Sequence, residues 1–445
     1  MKKICLINAP CEWQNSVTYQ RAIPYLGLLS IASFMSYHDK SLEITVLDGN
    51  ILSIDDIKQK VDKKNEIFGF SAFIYNYKNT VHLIDYVKEI VPDSKVVLGG
   101  GLATEIPGLI MKNRSKVDYV VVLEGEQALL DIAQGKSPER INNLVYRGNE
   151  RVCKNPIKLM DLNSLPKIDY EKFVDLNVYF KNADLLNEKR KLPIYASKGC
   201  KWRNLCKKHC IFCSLQYPTY FARHPKKVWD EIEYLKSLGA NEVLDASENF
   251  LEDMHWFNKF YASNPNIDID LKMYSRAESI TERTIKMLKE LGCGGVLIGI
   301  ESNSDEILKN FNKIARCKDN ERALTLLRKY NIMPRVTMIL GGFGETEKTA
   351  NETLTFAKKY LGNDCWITCS ILKPIPGSIS FDMIMRCPEL KKKYNNIDLL
   401  DYDDLSQDWV KHFCKVDYST LMEIEKEILK LSNKNCSWDS NTKLI

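Results

Sequence analysis

Short apolar runs alternate with amphipathic stretches through the first ~130 residues. The runs are Lys3–Asn8, Glu43–Asp48, Ile67–Ser71, Lys95–Gly99 and Tyr119–Leu123, flanked by Gly, Asn or Asp. Runs this short and this apolar predict strands buried on both faces. Between them the pattern turns helical, as over Val81–Val91. Strand–helix alternation predicts a parallel, doubly wound sheet of the Rossmann-like, flavodoxin-like kind over residues 1–134. In such a sheet ligands sit beyond the carboxyl ends of the strands. Those ends carry Asn8-Ala9-Pro10, Ser71, Gly99-Gly100-Gly101 and Glu124-Gly125-Glu126.

Residues 135–190 lose this rhythm, and turn-rich segments such as Tyr146–Asn149 and Asn163–Pro166 predict a connector with a small hairpin. Alternation resumes at Leu192–Ser197, and further strands are predicted at Glu242–Asp245, Asp270–Tyr274, Gly295–Gly299, Arg335–Leu340 and Trp366–Ser370. Amphipathic helices fit between them, at Lys227–Leu238, Thr281–Leu291, Asp319–Tyr330 and Glu347–Tyr360. Six such units are too few for a closed eight-unit barrel. They predict a partial (β/α)6 barrel over residues 191–390, followed by a charged, helical region over 391–445.

Composition narrows the class. The chain has 445 residues, 44% apolar and 27% charged, which is ordinary for a globular protein and unlike a disordered one. Its formal net charge of +5 is spread without a basic stripe, so no nucleic-acid partner is expected. The longest apolar stretch, Ile23–Met35, includes Tyr25 and two Ser and is shorter than the ~18–20 residues a membrane span needs. The Lys2-Lys3 start lacks a small-residue cleavage site. These features predict a cytoplasmic protein with no membrane partner.

Ten of the 14 Cys are scattered, as small buried hydrophobes are. Four cluster at Cys200, Cys206, Cys210 and Cys213, directly after the first strand of the second domain, where a barrel places its catalytic residues. Spacing alone admits a structural zinc site, an iron–sulfur cluster, or coincidence.

A Gly199-Cys200 pair after the first barrel strand, followed by Cys210-Ile-Phe212-Cys213, resembles the radical S-adenosylmethionine (SAM) superfamily. The resemblance implies a [4Fe-4S] cluster held by three Cys, with the fourth iron chelated by SAM. The family's usual spacing has three residues between the first two Cys and two between the last pair, which Cys206, Cys210 and Cys213 satisfy. Cys200, however, stands where the family's first Cys stands, with nine residues between it and Cys210, as in cobalamin-linked members with a lengthened loop. The resemblance therefore favours Cys200, Cys210 and Cys213, with Cys206 as the alternative first ligand.

The resemblance continues strand by strand and implies SAM contacts. Phe212 would lie near the adenine, Asp245 and Glu248 near the amino group, and Arg276 near the carboxylate. Glu301 and Ser302 would approach the ribose or carboxylate, and Gly341, Gly342 and Gly344 would run along the adenine. Pro374-Ile-Pro376-Gly377-Ser378 matches the turn after the sixth strand.

Residues 1–134 resemble the cobalamin-binding domain of a large radical SAM subgroup, through Ile7–Pro10, Pro24–Ser30, Val97–Thr104 and Glu124–Glu126. The implied cobalamin contacts are Asn8, Pro10, Ser71, Tyr75, Gly99, Gly100, Gly101, Thr104, Glu124 and Gly125. The Asp-x-His-x-x-Gly motif that brings a histidine to cobalt elsewhere is absent from the loop Ala9–Ser16. Cobalamin without a protein histidine, or a relic domain that shapes a cleft, both fit that absence. The implied activity is cobalamin-dependent methylation of an unactivated carbon on a small molecule or peptide, driven by a 5′-deoxyadenosyl radical. The alternatives are a radical cyclisation, rearrangement or epimerisation, and a non-catalytic corrinoid- or metal-binding protein. An external flavodoxin- or ferredoxin-type electron donor is the implied protein partner.

Overall fold

The computed structural model describes residues 2–11, 19–148, 151–206, 209–214, 217–396, 400–432 and 435–437. Residues 12–16 of the loop read above for a cobalt-binding histidine lie outside these, as does the side chain of Cys206. The chain divides into two compact units, residues 1–193 and 194–445.

The first unit is built on one seven-stranded sheet. Its strands are β1 (Lys2–Asn8), β2 (Leu42–Asp48), β3 (Ile67–Ser71), β4 (Lys95–Gly99), β5 (Tyr119–Val121), β6 (Leu144–Arg147) and β7 (Val152–Lys154), in the order β2-β1-β3-β4-β5-β6-β7. The pairings from β2 to β5 are parallel, and the order 2-1-3-4-5 is flavodoxin-like. Both faces are covered by helices, which is why Ile4–Ile7 and Val96–Leu98 are continuous apolar runs without alternation. The stretch read as a connector supplies β6 and β7, an antiparallel hairpin that extends this sheet. It also supplies the helix Leu176–Leu185.

The second unit holds a seven-stranded sheet that begins with β8 (Lys191–Ile194), where the chain leaves the first. After the short antiparallel pair β9 (Ser197–Lys198) and β10 (Phe221–Ala222) come β11 (Glu242–Asp245), β12 (Asp270–Arg276), β13 (Cys293–Glu301), β14 (Met333–Leu340), β15 (Trp366–Ile371) and β16 (Asn435–Ser437). The sheet order is β16-β15-β14-β13-β12-β11-β8, and every pairing from β11 to β16 is parallel. Strand β16 corrects the all-helical expectation for the C-terminal region. Three polar or small residues, Asn435-Cys436-Ser437, carry no alternation from which a strand is read.

Register sorts this sheet into two faces. Val243, Leu271, Met273, Val296, Ile298, Val336, Met338 and Ile367 share one, and all are buried apolar residues. Glu242, Lys272, Tyr274, Arg276, Gly299, Arg335, Thr337, Trp366 and Thr368 share the other, which in a partial barrel is the inside. Lys272 and Glu242 form an ion pair there, and the Arg335 guanidinium lies 4.7 Å over the Trp366 ring.

Candidate active site

The carboxyl end of β8 turns sharply into the cysteine-bearing loop. Gly199 adopts φ +84°, and a Cβ there would lie 2.1 Å from the Thr219 carbonyl oxygen, so only glycine fits. The turn is held by carboxylates and hydroxyls from the end of β11. Ala196 N donates to Asp245 Oδ1 at 2.8 Å, and Ser197 N to Ser247 Oγ at 2.8 Å. Gly199 N donates to Glu248 Oε2 at 3.0 Å. Lys201 N, opening the short helix Lys201–Cys206, donates to Glu252 Oε1 at 2.8 Å, and Lys201 Nζ to Asp253 Oδ2 at 2.8 Å.

Asp245 and Glu248, expected near the SAM amino group, thus serve first as anchors of the loop backbone. Burial lifts the Asp245 carboxyl to about 7. Its Oδ2 is buried without a hydrogen-bond partner, an acceptor that suits an ammonium group. Glu248 borders solvent but is crowded by protein, and lost hydration lifts its carboxyl to about 7 as well.

Cys200, Cys210 and Cys213 are half-buried thiols. Burial pushes the Cys210 thiol up to about 12, while Cys213, Glu301, Cys200 and Lys313 all lie within electrostatic reach of it. Arg276, at the end of β12, points Nη1 at Cys200 Sγ across 3.9 Å. Its guanidinium is shared with Glu252 at 3.3 Å and Glu278 at 3.0 Å. Among the described residues no three Cys, His, Asp or Glu groups converge on a single metal ion. Thiolates are the donors that an iron–sulfur cluster takes. Phe212 packs edge-on against Phe311, with ring centroids 5.1 Å apart.

The remaining candidates are used partly by the fold itself. Ser302 is fully buried, with Oγ 3.0 Å from Thr353 Oγ1 and accepting from Ser304 N at 3.2 Å. It caps the strand end inside the protein, where its hydroxyl is engaged by Thr353 and Ser304. Glu301 turns back over the inner face at φ +64°. Gly341 and Gly342 donate their N–H groups to the buried Glu345 carboxylate, and Trp409 Nε1 donates to Gly341 O at 2.7 Å. Gly344 N donates to Phe413 O at 2.8 Å. The glycine-rich segment is therefore packed by the C-terminal helix Tyr402–Phe413, and its polar backbone groups are already engaged. Sequence reasoning missed Ser247, Glu252, Asn312, Lys313 and Glu345. Glu345 alone carried a signal, as the acid closing the glycine-rich run.

In the first unit the crevice lies beyond β1 and β3. Asn8 is buried and pinned: its Nδ2 donates to Asp48 Oδ1 at 3.0 Å, and its Oδ1 accepts from Asn76 at 3.2 Å. Asp48 also accepts from Tyr179 at 2.8 Å and from Tyr25 N at 2.9 Å, and burial raises its pKa. Ser71 Oγ meets the Tyr25 hydroxyl at 2.9 Å, Pro10 O accepts from Asn79 at 2.9 Å, and Tyr75 stacks on Phe73 at 5.4 Å. Gly100 takes φ +92°, where a Cβ would lie 2.7 Å from Ala72 O. Gly101 faces the Phe73 ring, and Gly125 abuts Ile31. Thr104 Oγ1 accepts from Leu123 N at 2.9 Å, and the buried Glu124 accepts from Met160 N at 2.7 Å. Asn8, Thr104 and Glu124 thus build the loops. Gly99 has room for a Cβ, with nothing nearer than 3.9 Å, and its carbonyl accepts from Ala72 N at 2.8 Å.

Comparison with known proteins bears on both units. Residues 201–357 match the Radical SAM superfamily and residues 16–133 the B12 binding domain. The chain is a radical SAM enzyme carrying an N-terminal B12-binding domain. It is 27% identical over 397 residues to an uncharacterized methyltransferase of Pyrococcus horikoshii, covering 84% of this chain and 82% of the relative. It is 26% identical to the anaerobic magnesium-protoporphyrin IX monomethyl ester cyclase of Rubrivivax gelatinosus, covering 70% of this chain but 57% of the cyclase. Its fold is similar to that of the radical SAM methyltransferase TsrM of Kitasatospora setae, solved with cobalamin and a [4Fe-4S] cluster. That match has a TM-score of 0.69 and 17% identity, covering 87% of this chain and 78% of TsrM. A cobalamin-dependent SAM radical enzyme, OxsB, matches at a TM-score of 0.68 and 16% identity, covering 93% and 56%. The cofactors of this class are a [4Fe-4S] cluster, SAM and cobalamin. The thiol set fits the first, the unpartnered Asp245 oxygen the second and the crevice beyond the carboxyl ends of β1 and β3 the third. No helix among the described residues is long and apolar enough to cross a membrane.

Proposed function

We propose that this enzyme transfers a methyl group to an unactivated carbon of a small-molecule or peptide substrate. Cys200, Cys210 and Cys213 hold the cluster, and Asp245, Glu248 and Arg276 surround the SAM amino-acid portion. When bound, the cluster supplies the electron that cleaves SAM to methionine and a 5′-deoxyadenosyl radical, and cobalamin supplies the methyl group. The residues do the positioning. Gly199 makes the turn that exposes Cys200, and Ser247, Glu248 and Glu252 fix its backbone. Arg276 offers cationic hydrogen bonds beside Cys200, where a carboxylate gains most from them. Gly99 to Gly101 give a cobalamin tail close access in the first unit. The electron comes from a flavodoxin- or ferredoxin-type donor.

The observation that carries this reading is a single loop after β8 that brings the Cys200 and Cys213 thiols within electrostatic reach of Cys210, with the Arg276 guanidinium 3.9 Å from Cys200. Anaerobically reconstituted protein should hold four irons per chain, co-elute with cobalamin and release 5′-deoxyadenosine. Cys200→Ala should lose the iron and Cys206→Ala keep it; the reverse result would overturn the ligand assignment. Radical ring closure without methyl transfer is the second reading, favoured by the likeness to the cyclase. A product heavier by one methylene supports methylation, and an unchanged carbon count supports ring closure.

A further inference from the structure

Strand β13 ends in an irregularity that delivers a buried cation to the site. Its register against β14 slips between Gly299 and Glu301, and Glu301 takes φ +64°, which non-glycine residues adopt only when held there. The slip folds the Glu301 carboxylate back over Gly299, where a Cβ would lie 2.3 Å from Oε1 and 3.3 Å from Lys313 Nζ. Lys313 reaches this spot from the turn after the helix Asp305–Asn310. Its Nζ donates to Gly299 O at 2.6 Å and lies 3.4 Å from Glu301 Oε1, and its side chain is 5% exposed.

The turn that carries Lys313 is fastened to the cysteine loop on both sides of Cys210. Ile211 N donates to Phe311 O at 3.1 Å, and the Phe311 ring meets Phe212. Trp202 Nε1 donates to Asn312 O at 2.7 Å, and Asn312 Nδ2 to His209 O at 3.2 Å. Gly299 is the register partner of Arg276, whose guanidinium faces Cys200. Two cations therefore lie beside the thiols, Arg276 at the end of β12 and Lys313 held over the end of β13. Arg276 is matched by two carboxylates, at 3.0 and 3.3 Å, whereas Lys313 has one, at 3.4 Å. Arg276 with its two carboxylates is net negative, whereas Lys313 with Glu301 is neutral, so removing the Lys313 charge leaves the thiols beside uncompensated carboxylates.

We propose that Lys313 is a positioning residue that sets the reduction equilibrium of the cluster held by Cys200, Cys210 and Cys213. The inference rests on the cluster reading above. A [4Fe-4S] cluster on three thiolates passes from one net negative charge to two when it accepts one electron from a reductant. A buried ammonium nearby favours the more negative state. At an effective dielectric of about 20 and a separation of about 10 Å, one charge alters such an equilibrium roughly tenfold. Glu301 opposes it, and the bulge and Gly299 hold the pair in place.

The test is a mediated redox titration of the reconstituted protein without SAM, followed by electron paramagnetic resonance, with iron measured in each sample. Lys313→Gln should shift the reduced-to-oxidised ratio about tenfold toward oxidised, a midpoint fall of about 59 mV for one electron. Lys313→Arg should hold the wild-type midpoint, and Glu301→Gln should raise it. A full-iron Lys313→Gln with an unmoved midpoint overturns the proposal, as does a Lys313→Arg midpoint as low as that of Lys313→Gln. Should Lys313→Gln fail to load iron, the other two variants decide, and an unmoved Glu301→Gln midpoint overturns it. Wild-type protein that binds no cluster would overturn the cluster reading instead.

Discussion

Replacing Asp245 by Asn isolates what it takes to keep a carboxylate under the first turn of the site. Asp245 is 3% exposed, and burial lifts its carboxyl from 3.8 to about 7 despite hydrogen bonds from Ala196 N and Ser247. Between those two values the folded chain holds a proton that the unfolded chain has released. Stability contributed by this group is therefore fully present below about pH 4 and is lost as pH rises toward 7. A shift of about three units corresponds to about 4 kcal/mol, of which about 2–3 kcal/mol falls between pH 5 and pH 8. Asparagine keeps an acceptor for Ala196 N but carries no charge. Urea unfolding of wild type and Asp245→Asn, at pH 5 and pH 8, should show the variant gaining about 2–3 kcal/mol relative to wild type across that interval. Glu248 and Glu345 are also raised to about 7, so wild type alone follows the same trend. Only the difference between the proteins reports Asp245. A difference that stays flat with pH, or that favours wild type at pH 8, would refute the reasoning.

Tyr179→Phe removes the hydroxyl that donates to buried Asp48 and should destabilise the first unit by about 1–3 kcal/mol, seen in its thermal transition. Ser302→Ala leaves Thr353 Oγ1 and Ser304 N short of a partner and should cost about 1–2 kcal/mol in urea unfolding. Its SAM affinity should stay unchanged in equilibrium dialysis. Gly199→Ala forces a Cβ against Thr219 O and should cost about 2 kcal/mol or more in thermal unfolding, with iron incorporation falling in parallel.

Much of this architecture was legible because buried parallel strands are written as uninterrupted apolar runs. Residues 67–71 and 335–340 could be placed before any coordinates, and so could the crevice beyond Ser71. Strand β16 could not, because Asn435–Ser437 acquires its conformation from pairing with Ile367–Cys369 and not from its own residues. The same holds at the site. Gly199, Cys200, Cys210 and Cys213 are marked by residue type and spacing. Glu252 and Lys313 are ordinary surface residue types, and they matter through the fold: one comes from beyond the end of β11, the other from a turn more than a hundred positions after the first Cys. Ser302 is the converse case. Its place after Glu301 matched a motif, but the strand carries its side chain inward to Thr353.

The alternation of faces across β11 to β15 has an evolutionary corollary. Each strand devotes every second position to packing and every other one to the cavity wall, so the two duties occupy different codons. Tyr274, Arg335, Trp366 and Thr368 can be exchanged one at a time while the aliphatic layer behind them stays intact. A lineage can thus drift toward new chemical targets by repainting that wall, without first rebuilding the scaffold that holds the thiols.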